Sequence, residues 1–440
     1  MDSSQREWWH RHGWTIALLW TAFGLAFAIR TIFNVPVLEE FGNLYVYAGG
    51  SDSYYHSRVM TYIILNHTNL ILDPLLKYPF GAINPREPLF DWMNAILGLV
   101  FAPFFGGNAN AAGAFFLNLQ GPLWAALTVF PVYLIGKEVS SRRMGLIAAM
   151  IFPFFPASID SSTLGYGNYL SFYTFVILIT VYAYLRTLKA TGTRRWVVSY
   201  RQPREIGRGL KAFLREERMA VKWAVFTGVC FGALALSWQG YTYFVAVVAI
   251  FLTVGFIIGR IRHVDMFGTY IVTLIVGIIG FPMAFPYYIV QHEFAGWFDL
   301  PLLLFFGALV LLLPFMFMRD VPWVFSIPLL IGTYLAGALV LAIFLPNFFI
   351  NIVTGQGYFV KTLIYSTVAE AQAPSLDQLV IGYGLVTFYL ALVGVALYAW
   401  GWIRGRYSRV GLVFLVFGVL SIYLPISASK FFLIGAPGFA

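Results

Sequence analysis

Residues 267–290 read FGTYIVTLIVGIIGFPMAFPYYIV, without one charged side chain. About 20 predominantly apolar residues are enough to cross a bilayer as a helix. Runs of this kind recur along all 440 residues, and the composition agrees: 60% hydrophobic, 11% charged, mean hydropathy +0.78. A soluble domain carries roughly 25% charged residues, so a soluble class is excluded. Disorder is excluded by the same apolar content and by 19% aromatic residues. The pattern predicts an all-α, polytopic transmembrane helical bundle. The single cysteine, Cys230, can form neither an internal disulfide nor a cysteine metal site and reads as a small core hydrophobe.

Charge placement orders the spans. Of the net +9, most lies between Arg186 and Lys222, where eleven basic residues face only Glu205, Glu216 and Glu217. Between two apolar runs such a stretch reads as a cytoplasmic topology signal against anionic lipid rather than as a nucleic-acid site. Arg6 and Arg11 precede an apolar run to Phe33, which reads as an uncleaved first helix. Further spans are predicted at 112–135, 143–159, 168–185, 223–238, 241–259, 267–290, 298–318, 322–345, 379–402 and 410–424, with another beginning near Lys430, about 11–12 in all. Lys137, Arg142, Arg143, the 186–222 loop, Arg260, Arg262, Arg319, Arg404, Arg406 and Arg409 share one side only if 90–106 does not cross. That stretch is therefore expected as an interfacial helix within a first external loop, 34–111. This puts the N-terminus in the cytoplasm and 160–167, 291–297 and 346–378 outside. No fixed-period repeat supports a duplicated transporter. No acid sits at the middle of a span, which disfavours an ion-coupled pump.

Two stretches outside the spans carry chemistry. The first is Asp52-Ser53-Tyr54-Tyr55-His56-Ser57-Arg58, preceded by Gly49 and Gly50. It places an acid where a loop becomes a helix, suited to a metal ligand or a base; simple capping by Ser51 or Asp52 is the competing reading. Beyond it lie Asn66-His67-Thr68, a glycosylation sequon, and a proline-rich segment from Asp73 to Trp92. The second is Ser366-Thr367-Val368-Ala369-Glu370 in the other long external loop.

Asp52 with Tyr-Tyr-His-x-Arg, then Tyr78-Pro79, Asn84-Pro85-Arg86 and Pro88-Leu89-Phe90-Asp91-Trp92, resembles the first external loop of archaeal-type oligosaccharyltransferase catalytic subunits. Thr367-Val368-Ala369-Glu370 resembles that family's Thr-Ile-x-Glu or Ser-Val-x-Glu loop. The resemblance implies a membrane glycosyltransferase of GT-C type. Such an enzyme transfers a glycan from a polyprenyl (dolichyl) phosphate or pyrophosphate to the asparagine of Asn-x-Ser/Thr. It implies Asp52 as a ligand of Mg²⁺ or Mn²⁺ and, with Glu370, as a contact to the acceptor amide. His56, Arg58, Arg86 and Lys430 are implied as contacts to the carrier phosphate, with the lipid bilayer and the acceptor polypeptide as partners.

Two departures stand out. The family's short second loop supplies further metal ligands, but alignment on Gly165 puts Ser161, Asn168 and Leu170 where its arginine, its aspartate and its final ligand stand, leaving Asp160 or Asn168 as substitutes. At the other end, Lys430 stands where an arginine is common, and the family's soluble C-terminal domain with its Trp-Trp-Asp-x-Gly motif is absent from these residues, so a truncated chain is expected. Competing readings are another lipid-sugar-dependent GT-C transferase, a catalytically impaired paralogue served by a separate partner, and a lipid-carrier flippase or transporter.

Overall fold

The computed structural model describes residues 3–36, 47–318, 321–355, 360, 363–405 and 408–440; Arg319 and Arg406 lie outside them. It is helical almost throughout. α1 (Ser3–Thr31) leads to α2 (Gly50–Asn66), a two-residue antiparallel hairpin pairing Leu72 with Ile83 and Asp73 with Ala82, and α3 (Pro88–Phe101). Next come α4 (Ala109–Leu127), α5 (Val129–Val139), α6 (Arg142–Ile151), α7 (Leu170–Ala190), α8 (Pro203–Glu216) and α9 (Arg218–Ala235). The bundle continues with α10 (Thr242–Ile261), α11 (Phe267–Val290), α12 (Asp299–Phe317), α13 (Trp323–Phe344), α14 (Leu385–Ile403) and α15 (Arg409–Ser427).

Eleven helical segments among the described residues are long and apolar enough to cross a membrane. Ten coincide with sequence-predicted spans. The predicted span 143–159 is a correction: it is not one helix but α6, a 3₁₀ turn at Phe152–Phe154 and a short helix Pro156–Asp160. Pro153 and Pro156 lack the amide hydrogens a continuous ladder needs. Both ends of the segment nonetheless lie against α1. Arg142 donates to Thr15 Oγ1 at one end. At the other, Arg30 donates to Ser162 Oγ at 2.7 Å and Ser158 Oγ at 3.0 Å. The segment thus accompanies α1 over about 22 Å at 1.5 Å per residue.

The eleventh segment is α3 with its 3₁₀ extension, Pro88–Phe105. It packs against the beginning of α4, where Gln120 donates to Asn94 at 2.8 Å and a Cβ on Gly98 would meet the Ala109 carbonyl at 2.7 Å. A Cβ on Gly121 would meet Ser162 at 3.1 Å, so residues 109–120 extend past the level at which α1 ends, and α3 lies alongside that extension. This geometry accords with an interfacial α3, although its length and composition also suit a span.

The two ends of the bundle differ. One collects the basic connectors: Arg186 and Lys189 both pair with Glu138 at 3.0 and 2.7 Å, Arg262 donates to the Ile403 carbonyl, and Arg409 donates to Thr269 and to the Thr191 carbonyl. The other end carries the carboxylates of the candidate site. Between them α7 and α11 are 67% buried, and Tyr184 and Thr273 join their middles at 2.8 Å.

Candidate functional site

Asp52 lies in the first turn of α2, where the unpaired amides of a helix start favour a negative charge. It does not cap the helix: the capping position is Gly49, with no side-chain bond. Its Oδ1 instead accepts from Arg86 at 2.5 Å, and its Oδ2 stands 3.4 Å from Asn168 Nδ2. Arg86 also donates to the Tyr169 hydroxyl at 3.1 Å and lies 5.3 Å from that ring's centre. Its Nε is buried without a partner among the described residues. Three segments distant in sequence, at 52, 86 and 168–169, therefore meet in one polar knot.

The loop carrying Asn168 is threaded into its neighbours. Leu164 N–H donates to the Arg30 carbonyl, Gly165 N–H to Asn118, and Ala48 N–H to Gly165. Gly165 sits at φ +87°, a region a side chain would rarely adopt; that turn lets one residue bridge both neighbours. Tyr166, in the same loop, has its hydroxyl pKa raised by burial and then by the charges of Asp160, Glu370 and Asp52. All three predicted carboxylates thus share one electrostatic neighbourhood. Asp160 ends the short helix Pro156–Asp160 and is exposed.

Glu370 belongs to a 3₁₀ turn, Ala369–Ala371, anchored by buried Ala371. The chain near Lys430 holds that turn: Ser429 N–H donates to the Gln372 carbonyl at 3.0 Å, and Ser429 Oγ to the Glu370 carbonyl at 3.1 Å. Thr367, Val368, Ala369 and Glu370 are exposed. A cavity of about 420 Å³ adjoins both regions, with Arg86, Tyr169 and Lys430 on its polar wall and Trp238, Tyr243, Leu304 and Leu420 among its apolar lining.

Two predicted phosphate contacts need correction. His56 is buried, its Nδ1 2.7 Å from Asp91 Oδ1 and its ring edge-on to Phe90. Arg58 makes a two-pronged bond to Asp73 at 2.8 and 2.9 Å on a different face of α2. Neither lines the cavity. His56 and Arg58 brace the first loop instead. Sequence reasoning missed Tyr169, whose hydroxyl orients Arg86, and Glu87, whose carboxyl burial pushes up to about 8. The adjacency of Glu87 to Arg86 inside an otherwise apolar, proline-flanked stretch was the available signal.

A divalent cation such as Mg²⁺ or Mn²⁺ takes several oxygen donors. Among the described residues no three His, Cys, Asp or Glu side chains form a cluster able to hold a metal. Asn168 Oδ1, however, is buried with no partner, on the amide whose Nδ2 stands 3.4 Å from the Asp52 carboxylate. An amide oxygen and a carboxylate are the hard donors such a cation takes, so with that amide turned over these two fit a sparse site completed by water or substrate.

Comparison with known proteins follows the same lines. Residues 27–434 match the family described as oligosaccharyl transferase STT3, N-terminal. The chain is similar to dolichyl-phosphooligosaccharide-protein glycotransferase 3 of Archaeoglobus fulgidus, 24% identical over 290 residues, which are 64% of this chain and 30% of the relative. It is also similar in fold to the archaeal oligosaccharyltransferase AglB from the same organism, in complex with an inhibitory peptide and a dolichol-phosphate. The TM-score is 0.78 at 17% identity, over 98% of this chain and 50% of that one. A structure of the Archaeoglobus fulgidus oligosaccharyltransferase with zinc and sulfate gives a TM-score of 0.70 at 19% identity, over 96% and 48%. The chain thus spans about a third of the curated relative's length and about half that of the solved structures.

Proposed function

This chain belongs to the oligosaccharyl transferase STT3 family, and from that premise we propose that it transfers a glycan from a polyprenyl phosphate or pyrophosphate to the asparagine of Asn-x-Ser/Thr. The observation that carries the reading is the meeting of Asp52, Arg86 and Asn168 beside a cavity that Lys430 also lines, next to the Glu370 turn.

The chain is a multi-pass membrane protein. Its orientation is part of the proposal: the end rich in Arg and Lys faces the cytoplasm, and the Asp52 end faces outside. On this reading 34–111 and 346–378 are the two external loops that build the site, and 186–222 is cytoplasmic.

An amide nitrogen is a poor nucleophile because its lone pair is delocalised into the carbonyl. Asp52 and Glu370 accept its two N–H bonds, which localises that pair on nitrogen. The nitrogen attacks the anomeric carbon as the bond to the phosphate oxygen breaks, with inversion, and the displaced amide proton passes to a carboxylate. Arg86 and Lys430 stabilise the negative charge that the carrier phosphate gains. The apolar part of the cavity takes the start of the prenyl chain. Asp52 and Asn168 would hold a divalent cation, Mg²⁺ or Mn²⁺, which supplies Lewis-acid stabilisation of the leaving phosphate.

The sparse donor set around Asp52 favours a second reading, a catalytically impaired paralogue. Transfer from a lipid-linked donor to a labelled Asn-x-Thr peptide separates the two. Activity that Asp52→Ala and chelation both abolish supports the proposal. Verified folding with donor binding but no transfer supports the paralogue.

A further inference from the structure

α8 is unlike the other long helices. Its underside is fixed: Phe213 lies edge-on to Trp196 at 5.4 Å and to Phe267 at 6.5 Å. A Cβ on Gly209 would meet the Trp196 carbonyl oxygen at 2.6 Å, so the backbone sits as close as glycine permits. With the underside set, helical spacing of four, three and four residues places Arg204, Arg208, Lys211 and Arg215 on one outward stripe, and all four are exposed.

The flanks of that stripe differ. On one side Ile206 and Leu210 are half-buried and Leu214 is exposed, forming an apolar ridge that climbs from the underside toward the cations. On the other stand Glu205, paired with Arg208 at 2.8 Å, and Glu216, paired with Arg194 at 2.6 Å. Across the helix the order is apolar ridge, cations, acids. A helix lying at a membrane surface has this order: the apolar edge enters the acyl boundary, the cations reach phosphate level and the acids face water. The loop is tied at both ends to the membrane-spanning α7 and α9, so the stripe is held close to the leaflet.

We propose that α8 is a binding shelf for anionic phospholipid headgroups, with Arg204, Arg208, Lys211 and Arg215 contacting their phosphates. This does not depend on the glycan-transfer reading. It also goes beyond the role of loop charge in orientation, because it rests on the stripe rather than on the sum of charges.

The test uses the whole chain in phosphatidylcholine nanodiscs with and without phosphatidylglycerol, reading retention of fluorescent phosphatidylglycerol. Arg208→Gln with Arg215→Gln is compared with Arg194→Gln with Arg195→Gln, which removes the same charge from outside the stripe. At about fivefold per cation near the surface, the stripe pair should weaken retention about 25-fold and the control pair less than fivefold. Arg208→Lys with Arg215→Lys should retain binding, which guards against misfolding as the cause. Equal losses in both glutamine pairs, or no preference of the unaltered chain for phosphatidylglycerol, would overturn the proposal.

Discussion

The two long segments that build the candidate site are made differently. The first, from Tyr47 to α4, is cross-braced: Asp52–Arg86 ties α2 to the segment that leads into α3, one turn along α2 His56–Asp91 ties it to α3 itself, and Arg58–Asp73 ties it to the hairpin. The second, around Glu370, hangs between α13 and α14, each only 6% buried against the rest, and Ser429 is among the residues that hold its turn. On the proposed reading, a braced half that holds Asp52 and Arg86 suits a lipid-phosphate donor, whose charge must meet fixed dipoles. The other half then suits a peptide acceptor, which must enter and leave with each transfer.

The largest effect that separates the halves is on transfer. Asp52→Asn and Glu370→Gln should each reduce it by about 10²–10³-fold. The Asp52 change should appear in kcat, and the Glu370 change largely in KM for the peptide. Identical effects on both constants would remove the functional distinction.

Stability comes next. Asp91→Ala strands buried His56 and should cost about 3 kcal/mol, a loss of several degrees in the thermal midpoint. Ser429→Ala, in the other half, should cost about 1 kcal/mol. Arg58→Ala falls between or below, since the Arg58 side chain is 39% exposed and solvent screens its pair to about 1 kcal/mol or less. Comparable midpoints for Asp91→Ala and Ser429→Ala would break the comparison.

A smaller effect is pH-dependent. Glu87, buried beside Arg86, has a pKa raised from 4.5 to about 8 chiefly by burial. A raised value means the folded chain keeps a proton that the unfolded chain has lost. The associated stability is therefore complete below about 4.5 and is lost as pH rises toward and through about 8. Glu87→Gln should flatten that decline by a few degrees at pH 8 in a thermal-shift series. An unchanged slope would mean another group sets it.

Much of the fold was legible because apolar runs of membrane length identify themselves. The stretch 143–159 was legible as an apolar span but not as three short pieces, because two prolines interrupt its ladder while its composition stays apolar. The candidate site was legible at its motif residues, Asp52 and Glu370, through resemblance, and the structure brings both near Tyr166. It was not legible where function rests on pairing. Asp91 lies 35 residues from His56, and Asp73 lies 15 from Arg58. Nothing in local spacing shows that these acids claim two side chains that sequence reading had assigned to phosphate. Arg86 was singled out, but its bond to Tyr169, 83 residues away, emerges only once the 161–169 loop is threaded between α1, α4 and Ala48.

The most direct test of a braced half and an entering half is hydrogen exchange of the purified chain, read by mass spectrometry with and without an Asn-x-Thr peptide and lipid-linked donor. The expected result is slow exchange in 50–66 and 88–101 in both states, with faster exchange around 363–372 that slows when both substrates are present. Exchange around 363–372 as slow as in α2 without substrates, or unaltered by them, would contradict the account.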